Sequence, residues 1–163
     1  MFTFEQMLTR LIIALALGIL IGLEREFAGK EAGIRTSMLV SAGAAIFTMI
    51  GLSLPYIIGT SPENINEIIS KNGGFLNIIA NIVVGIGFIG AGIIVKVKEH
   101  IHGLTTAANI WMTAAIGILV GLGLLSFAIA AAIIISGLLF LLRKIRISEK
   151  IDHDFPGKDD DRN

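Results

Sequence analysis

Apolar residues run along this chain in five long stretches, each cut off by a short polar or charged segment. That pattern predicts an all-α protein. The stretches lie near 7–23, 36–58, 75–97, 104–120 and 124–142. Crossing a bilayer takes roughly 20 predominantly apolar residues, within a range of about 17–25. Each stretch is long enough, with the first, fourth and fifth at the short end. The fold expected is a polytopic transmembrane helix bundle of about five helices. Residues 1–145 form its transmembrane domain, and a polar cytoplasmic tail over 146–163 is expected to be flexible. Pro55 falls in the last turn of the second span, where a proline is tolerated. Gly121-Leu122-Gly123 separates the last two spans, because one helix from 104 to 142 would measure about 58 Å.

The first stretch reads as a retained helix. Its flank, Met1 to Gln6, lacks a basic segment, and Glu24-Arg25-Glu26 stands where a cleavage site needs small residues.

Composition agrees with this picture. Charged residues make up 16%, against about 25% in a soluble domain, and mean hydropathy is +0.82. Zero net charge gives no reason to expect a nucleic-acid partner. The chain has no cysteine, which excludes a disulfide framework and thiolate metal sites.

Charge placement adds direction. With five spans, the segment 24–35, the segment after the third span and the tail share one face. They carry Arg25, Lys30, Arg35, Lys96, Lys98, Arg143, Lys144, Arg146, Lys150, Lys158 and Arg162. The other face has Arg10 and Lys71. Eleven basic residues against two place the N-terminus outside and the C-terminus in the cytoplasm. Arg143-Lys144-Ile145-Arg146 reads as an anchor to anionic lipid, and Trp111 as an interfacial aromatic.

Shifted by 70 residues, 15–54 matches 85–124 at ten of forty positions. Gly22/Gly92, Gly33/Gly103, Thr36/Thr106 and Gly51/Gly121 are among them. Either helices 1–2 and 3–4 form a parallel repeat, or an Ala/Gly/Ile/Leu-rich composition produces the matches.

Small residues let helices approach in lipid, where no hydrophobic drive brings them together. Gly18 and Gly22, then Gly85, Gly87, Gly90 and Gly92, then Gly117 and Gly121 are the expected packing positions. Gly85-Ile-Gly-Phe-Ile-Gly90 matches a dinucleotide fingerprint only formally, since no strand precedes it and it lies inside an apolar run. Local unwinding of the third helix at these glycines is a second reading. Asn77 and Asn81, four apart, need partners in lipid, and Asn109, Thr105 or Ser41 are the candidates. Asn77, Asn81, Asn109 and Thr113 thus form a candidate intramembrane polar site, serving either as a cavity or as interhelical hydrogen bonds.

Glu24 and Arg25 follow Leu23 directly, at the membrane boundary, where ionisable groups facing a bundle are functional candidates. Together with Glu26, Lys30, Arg35, Thr36, Thr105 and Thr106 they form one expected functional cluster at the cytoplasmic turns. His100 and His102 beside Glu99 do not make a metal site, and neither a metal nor a cofactor is expected. With no Ser–His–Asp set or carboxylate pair, an enzyme is not expected.

These segments carry a family resemblance. Leu17-Gly18-Ile-Leu-Ile-Gly22-Leu23-Glu24-Arg25-Glu26 and Gly29-Lys30-Glu31-Ala32-Gly33-Ile34-Arg35-Thr36 resemble the signature of the MgtC/SapB family. Val84 to Gly92, Gly103 to Ala108, Trp111 and Thr113 to Gly117 are similar to its later motifs. The resemblance implies a short form, without the C-terminal ACT-like domain of the best-known members. It also implies a bacterial inner-membrane protein tied to growth in scarce magnesium, virulence and stress, one member being an inhibitor of the F-type ATP synthase. Before helix three the family pattern of Asp-Pro, Arg and Gln is replaced by Gly74-Phe75, Asn77 and Asn81, so any role of that Asp and Arg does not carry over. The expected partners are the lipid bilayer, further copies in a homo-oligomer and a membrane protein. The alternative function is a small channel or carrier for a cation such as magnesium.

Overall fold

The computed structural model describes residues 2–59, 65, 67, 75–97 and 100–154. Among them are five long helices: α1 (Phe4–Phe27), α2 (Ile34–Ile58), α3 (Phe75–Ile93), α4 (Leu104–Leu122) and α5 (Leu125–Asp154). Between α3 and α4 a two-stranded antiparallel hairpin pairs β1 (Val95–Val97) with β2 (His100–His102). The protein is an all-α polytopic bundle. Four segments are long and apolar enough to cross a membrane: Phe4–Phe27, Ile34–Ile58, Leu104–Leu122 and Leu125–Ile145. Asn77–Ile93 is a shorter apolar helix.

Local chemistry sets the helix ends. Thr3 opens α1 with a capping box: its hydroxyl accepts from the Gln6 N–H at 3.3 Å, and the Gln6 side chain accepts from the Thr3 N–H at 3.1 Å. At its other end Gly29 takes φ +62°, the Lys30 N–H returns to the Arg25 carbonyl and the Gly29 N–H to that of Glu26. This is a Schellman stop, and Gly123 repeats it between α4 and α5. Helix α1 therefore runs one turn beyond the apolar stretch and carries Glu24-Arg25-Glu26 as helix. Helix α3 stops at Ile93, short of the expected 97, because Val95–Val97 pairs as a strand. Helix α5 continues past Leu142 to Asp154, through a segment without Gly or Pro, where a flexible tail was expected.

The helices alternate in direction, so the α1–α2 turn, the β-hairpin and the far end of α5 share one end of the bundle. Arg25, Lys30, Arg35, Lys96, Arg143 and Lys144 gather at that end, and Arg10 lies at the other. Lys71, Lys98, Glu99, Lys158 and Arg162 lie outside the described residues. Helices α1, α2 and α4 pack closely through glycine. A methyl on Gly18 would lie 2.7 Å from Met38 Cα, one on Gly22 2.5 Å from Ile34 Cα, and one on Gly121 2.6 Å from Thr48 Cβ. Gly117 lies against the Ser41 carbonyl. One core joins Ala14, Leu17 and Ile21 of α1 with Ala45, Ile116, Val120, Ala128 and Ala132. A second joins Ala44, Ala114 and Ile118 with Ile79, Ile82 and Ile86 of α3. Both are rich in alanine, which lets backbones approach where lipid supplies no hydrophobic drive.

At the 70-residue offset α2 and α4 begin at matched positions, Ile34 and Leu104, whereas α3 ends four residues before the match of the α1 end at Phe27. Gly33 and Gly103 both cap the following helix. Shifted by 70, the Gly22–Ile34 approach becomes 92–104, but a methyl on Gly92 would meet nothing within 4 Å, and Gly90 meets Ala107 instead at 3.5 Å. Across the hairpins, Arg10 reaches Gly121 and Ile78 packs on Gly51, the repeat mate of Gly121.

Candidate functional site

Among the described residues, the basic end of the bundle contains one buried charge. Arg25 lies in the added last turn of α1, is 3% exposed, and donates from Nη2 to Thr106 Oγ1 at 2.8 Å. This bond joins the end of α1 to the first turn of α4 and brings the turns at the basic end together. Other members of the expected cluster are dispersed around it. Glu26 is exposed, and its Oε2 accepts from the Ile34 N–H at 3.1 Å, so a carboxylate caps the glycine-led start of α2. Glu24 is half-buried, with a partnerless Oε2. Thr36 is half-buried, while Lys30, Arg35 and Thr105 are exposed.

The four-residue intramembrane set is not assembled. Asn109 and Thr113 lie on the face of α4 that carries Ile116 and Val120, which pack with α1. The face toward α3 carries Ala107, Ala114 and Ile118 instead. Asn77 and Asn81 are exposed along α3, so Asn109 is not their partner. Hydropathy identified α3 as a span, but periodicity could not say which of its faces meets protein. Thr113 donates to the Asn109 carbonyl at 2.7 Å, while both side-chain atoms of Asn109 are buried without a partner.

Among the expected packing glycines, Gly18, Gly22, Gly117 and Gly121 form the close approaches and Gly90 a looser one. A methyl on Gly85, Gly87 or Gly92 would meet nothing within 4 Å. Helix α3 is continuous through these glycines and does not unwind.

Arg10 and Ser37 take roles that the hydropathy pattern did not predict, and Ser41, a candidate partner for the α3 asparagines, bonds neither. Arg10 donates from Nη1 to the Gly121 carbonyl at 2.7 Å and lies over the Phe2 ring at 4.1 Å. This satisfies an end-of-helix carbonyl with a cation. Ser37 and Ser41 are fully buried on α2 with partnerless hydroxyls. Their four-residue spacing, and an arginine inside an apolar run, were the available signals. Among the described residues no three His, Cys, Asp or Glu side chains are grouped to hold a metal.

These features define a polytopic helical membrane protein whose α1, α2 and α4 form a glycine-packed unit with a buried arginine at one end. The model of the MgtC family matches residues 11–147, and the chain belongs to that family. It is 42% identical over 134 residues to Protein MgtC of Salmonella typhimurium (strain LT2), an alignment covering 82% of this chain and 51% of that protein. Protein MgtC of Brucella abortus (strain 2308) is 40% identical over 132 residues, covering 81% and 49%. The chain thus spans about half the length of these curated relatives. No solved structure matches it.

Proposed function

We propose that this chain is a non-enzymatic protein of the bacterial inner membrane that acts through membrane partners, the F-type ATP synthase among them. Its role is in adaptation to low magnesium and in stress or virulence. In this reading the basic end is cytoplasmic, the N-terminus is outside, and copies associate. Family membership supports the reading. The observation that carries it is the closure of the α1–α2–α4 interface. Arg25 lies at one end, Arg10 at the other, and Gly117 is seated on the Ser41 backbone between them. Arginines at both ends repel cations from such a path. Meanwhile Val84, Phe88, Phe127, Ile134 and Phe140 on α3 and α5 present apolar surface to neighbouring helices.

The test is co-reconstitution with an F-type ATP synthase in liposomes. Lowered ATP-driven proton pumping, without cation leak, is the expected result. The second reading is a cation channel or carrier, favoured by the partnerless Ser37, Ser41 and Asn109 side chains. Magnesium flux in liposomes holding this protein alone, abolished by Asn109→Leu, would establish it in place of the first.

A further inference from the structure

Arg25 is a buried cation in the last turn of α1, with the Glu24 carboxylate as its acidic neighbour. Helices α2 and α4 both begin at this end, so the positive ends of two helix dipoles converge on it. The start of α2 is neutralised within the chain by Glu26. The start of α4 is not: Gly103 supplies no capping side chain, and the first turn holds no acidic residue. The 70-residue offset puts Lys96 where the first hairpin has Glu26. Arg25 has one guanidinium nitrogen on Thr106 in that uncapped turn, while its Nε is buried and partnerless. Asn109, three residues after Thr106 and on the same face, is 5% exposed with Nδ2 and Oδ1 both unsatisfied. A buried charge and an amide left without partners are costly, and such groups mark a place where a partner belongs.

We propose that this corner, formed by Arg25, Asn109 and the first turn of α4, binds a phosphate-class anion that carries one hydroxyl. That anion is hydrogen phosphate or the head of a phosphomonoester lipid. The partnerless atoms select it. Arg25 Nε, Asn109 Nδ2 and the uncapped N–H groups of α4 donate to its oxygens. The partnerless carboxylate oxygen beside Arg25, Glu24 Oε2, accepts from its single P–OH. Sulfate has no hydroxyl to offer Glu24 and is discriminated against. Leu104 and Thr105 are exposed, so the first turn of α4 lies at the surface of the bundle. The site does not depend on which membrane partner the protein engages.

The experiment uses the full chain in phosphatidylcholine nanodiscs. Calorimetry and thermal melting are followed with inorganic phosphate and with sulfate at matched ionic strength. A third arm replaces part of the lipid with phosphatidic acid, a monoester, or with phosphatidylglycerol, a diester. Saturable phosphate binding about tenfold tighter than sulfate supports the proposal with a free anion as ligand. Stabilisation by phosphatidic acid over phosphatidylglycerol, without free phosphate binding, supports it with a lipid head as ligand. Either preference should disappear in Arg25→Gln and Asn109→Leu. Glu24→Ala, on a half-buried residue, removes the acceptor and should melt like the native protein, bind phosphate more weakly and lose the preference over sulfate. Equal responses to phosphate and sulfate would overturn the proposal, as would no response to phosphate or phosphatidic acid. So would an unchanged preference in Glu24→Ala, whatever the folding of the buried-site variants.

Discussion

The two helical hairpins open their second helices at matching positions, Ile34 and Leu104, and differ in what they place at the turn. In α1–α2 the turn is six residues long, 28–33, and α1 keeps one extra helical turn that holds Glu24, Arg25 and Glu26. In α3–α4 the connection is ten residues, 94–103, and the equivalent of that turn is strand β1. Glycines of the first hairpin hold its helices together, whereas three of the four in α3 meet nothing. Of α2 and α4, the former receives a carboxylate at its start and the latter has no acidic residue in its first turn. The comparison teaches that matching glycines and threonines fix where the chain turns. The charges at the turn decide which copy becomes a site.

Substitutions can break that comparison. The largest effect is expected at the α2–α4 contact. Gly117→Leu must displace the Ser41 backbone, a rigid obstacle, and should cost about 3 kcal/mol or more or prevent folding, read by thermal unfolding in detergent. Gly85→Ala and Gly92→Ala on α3 should be neutral, or gain up to about 1 kcal/mol from helix propensity. Equal losses at both places would mean that α3 is covered as fully as α4.

Next comes Thr106→Val, which leaves the buried Arg25 guanidinium without its oxygen and should cost about 1–3 kcal/mol. Thr36→Val, at the repeat mate, should have a clearly smaller effect in the same unfolding assay. Gly29→Ala forces a side chain into φ +62° and should cost about 1 kcal/mol. The smallest shift is expected from Glu26→Gln, which removes the charge facing the start of α2 but leaves an acceptor for the Ile34 N–H. A loss as large as that of Thr106→Val would show that Glu26 does more than cap.

Much of this was legible in the residues, and the rest fails for identifiable reasons. Spans, turns and the basic end follow from hydropathy and from charges that avoid lipid. The stops at Gly29 and Gly123 follow from glycine's tolerance of positive φ. The order of glycines announced close packing, but only neighbouring helices decide which row is used. Gly18, Gly22, Gly117 and Gly121 face protein, while Gly85, Gly87 and Gly92 do not. The same limit separated Asn77 and Asn81 from Asn109: spacing groups residues on one helix and is silent about the face another helix presents. Glu24, Arg25 and Glu26 looked alike as boundary charges. A rotation of about 100° per residue sends them to a half-buried edge, the interior and the start of α2 respectively.

The central claim is that the two hairpins are joined at their basic end through Arg25 and Thr106. A double-mutant cycle of Arg25→Gln and Thr106→Val, measured by reversible unfolding, tests it directly. The account predicts a coupling of about 1 kcal/mol or more between the two sites. Additive losses, with no coupling beyond error, would contradict it.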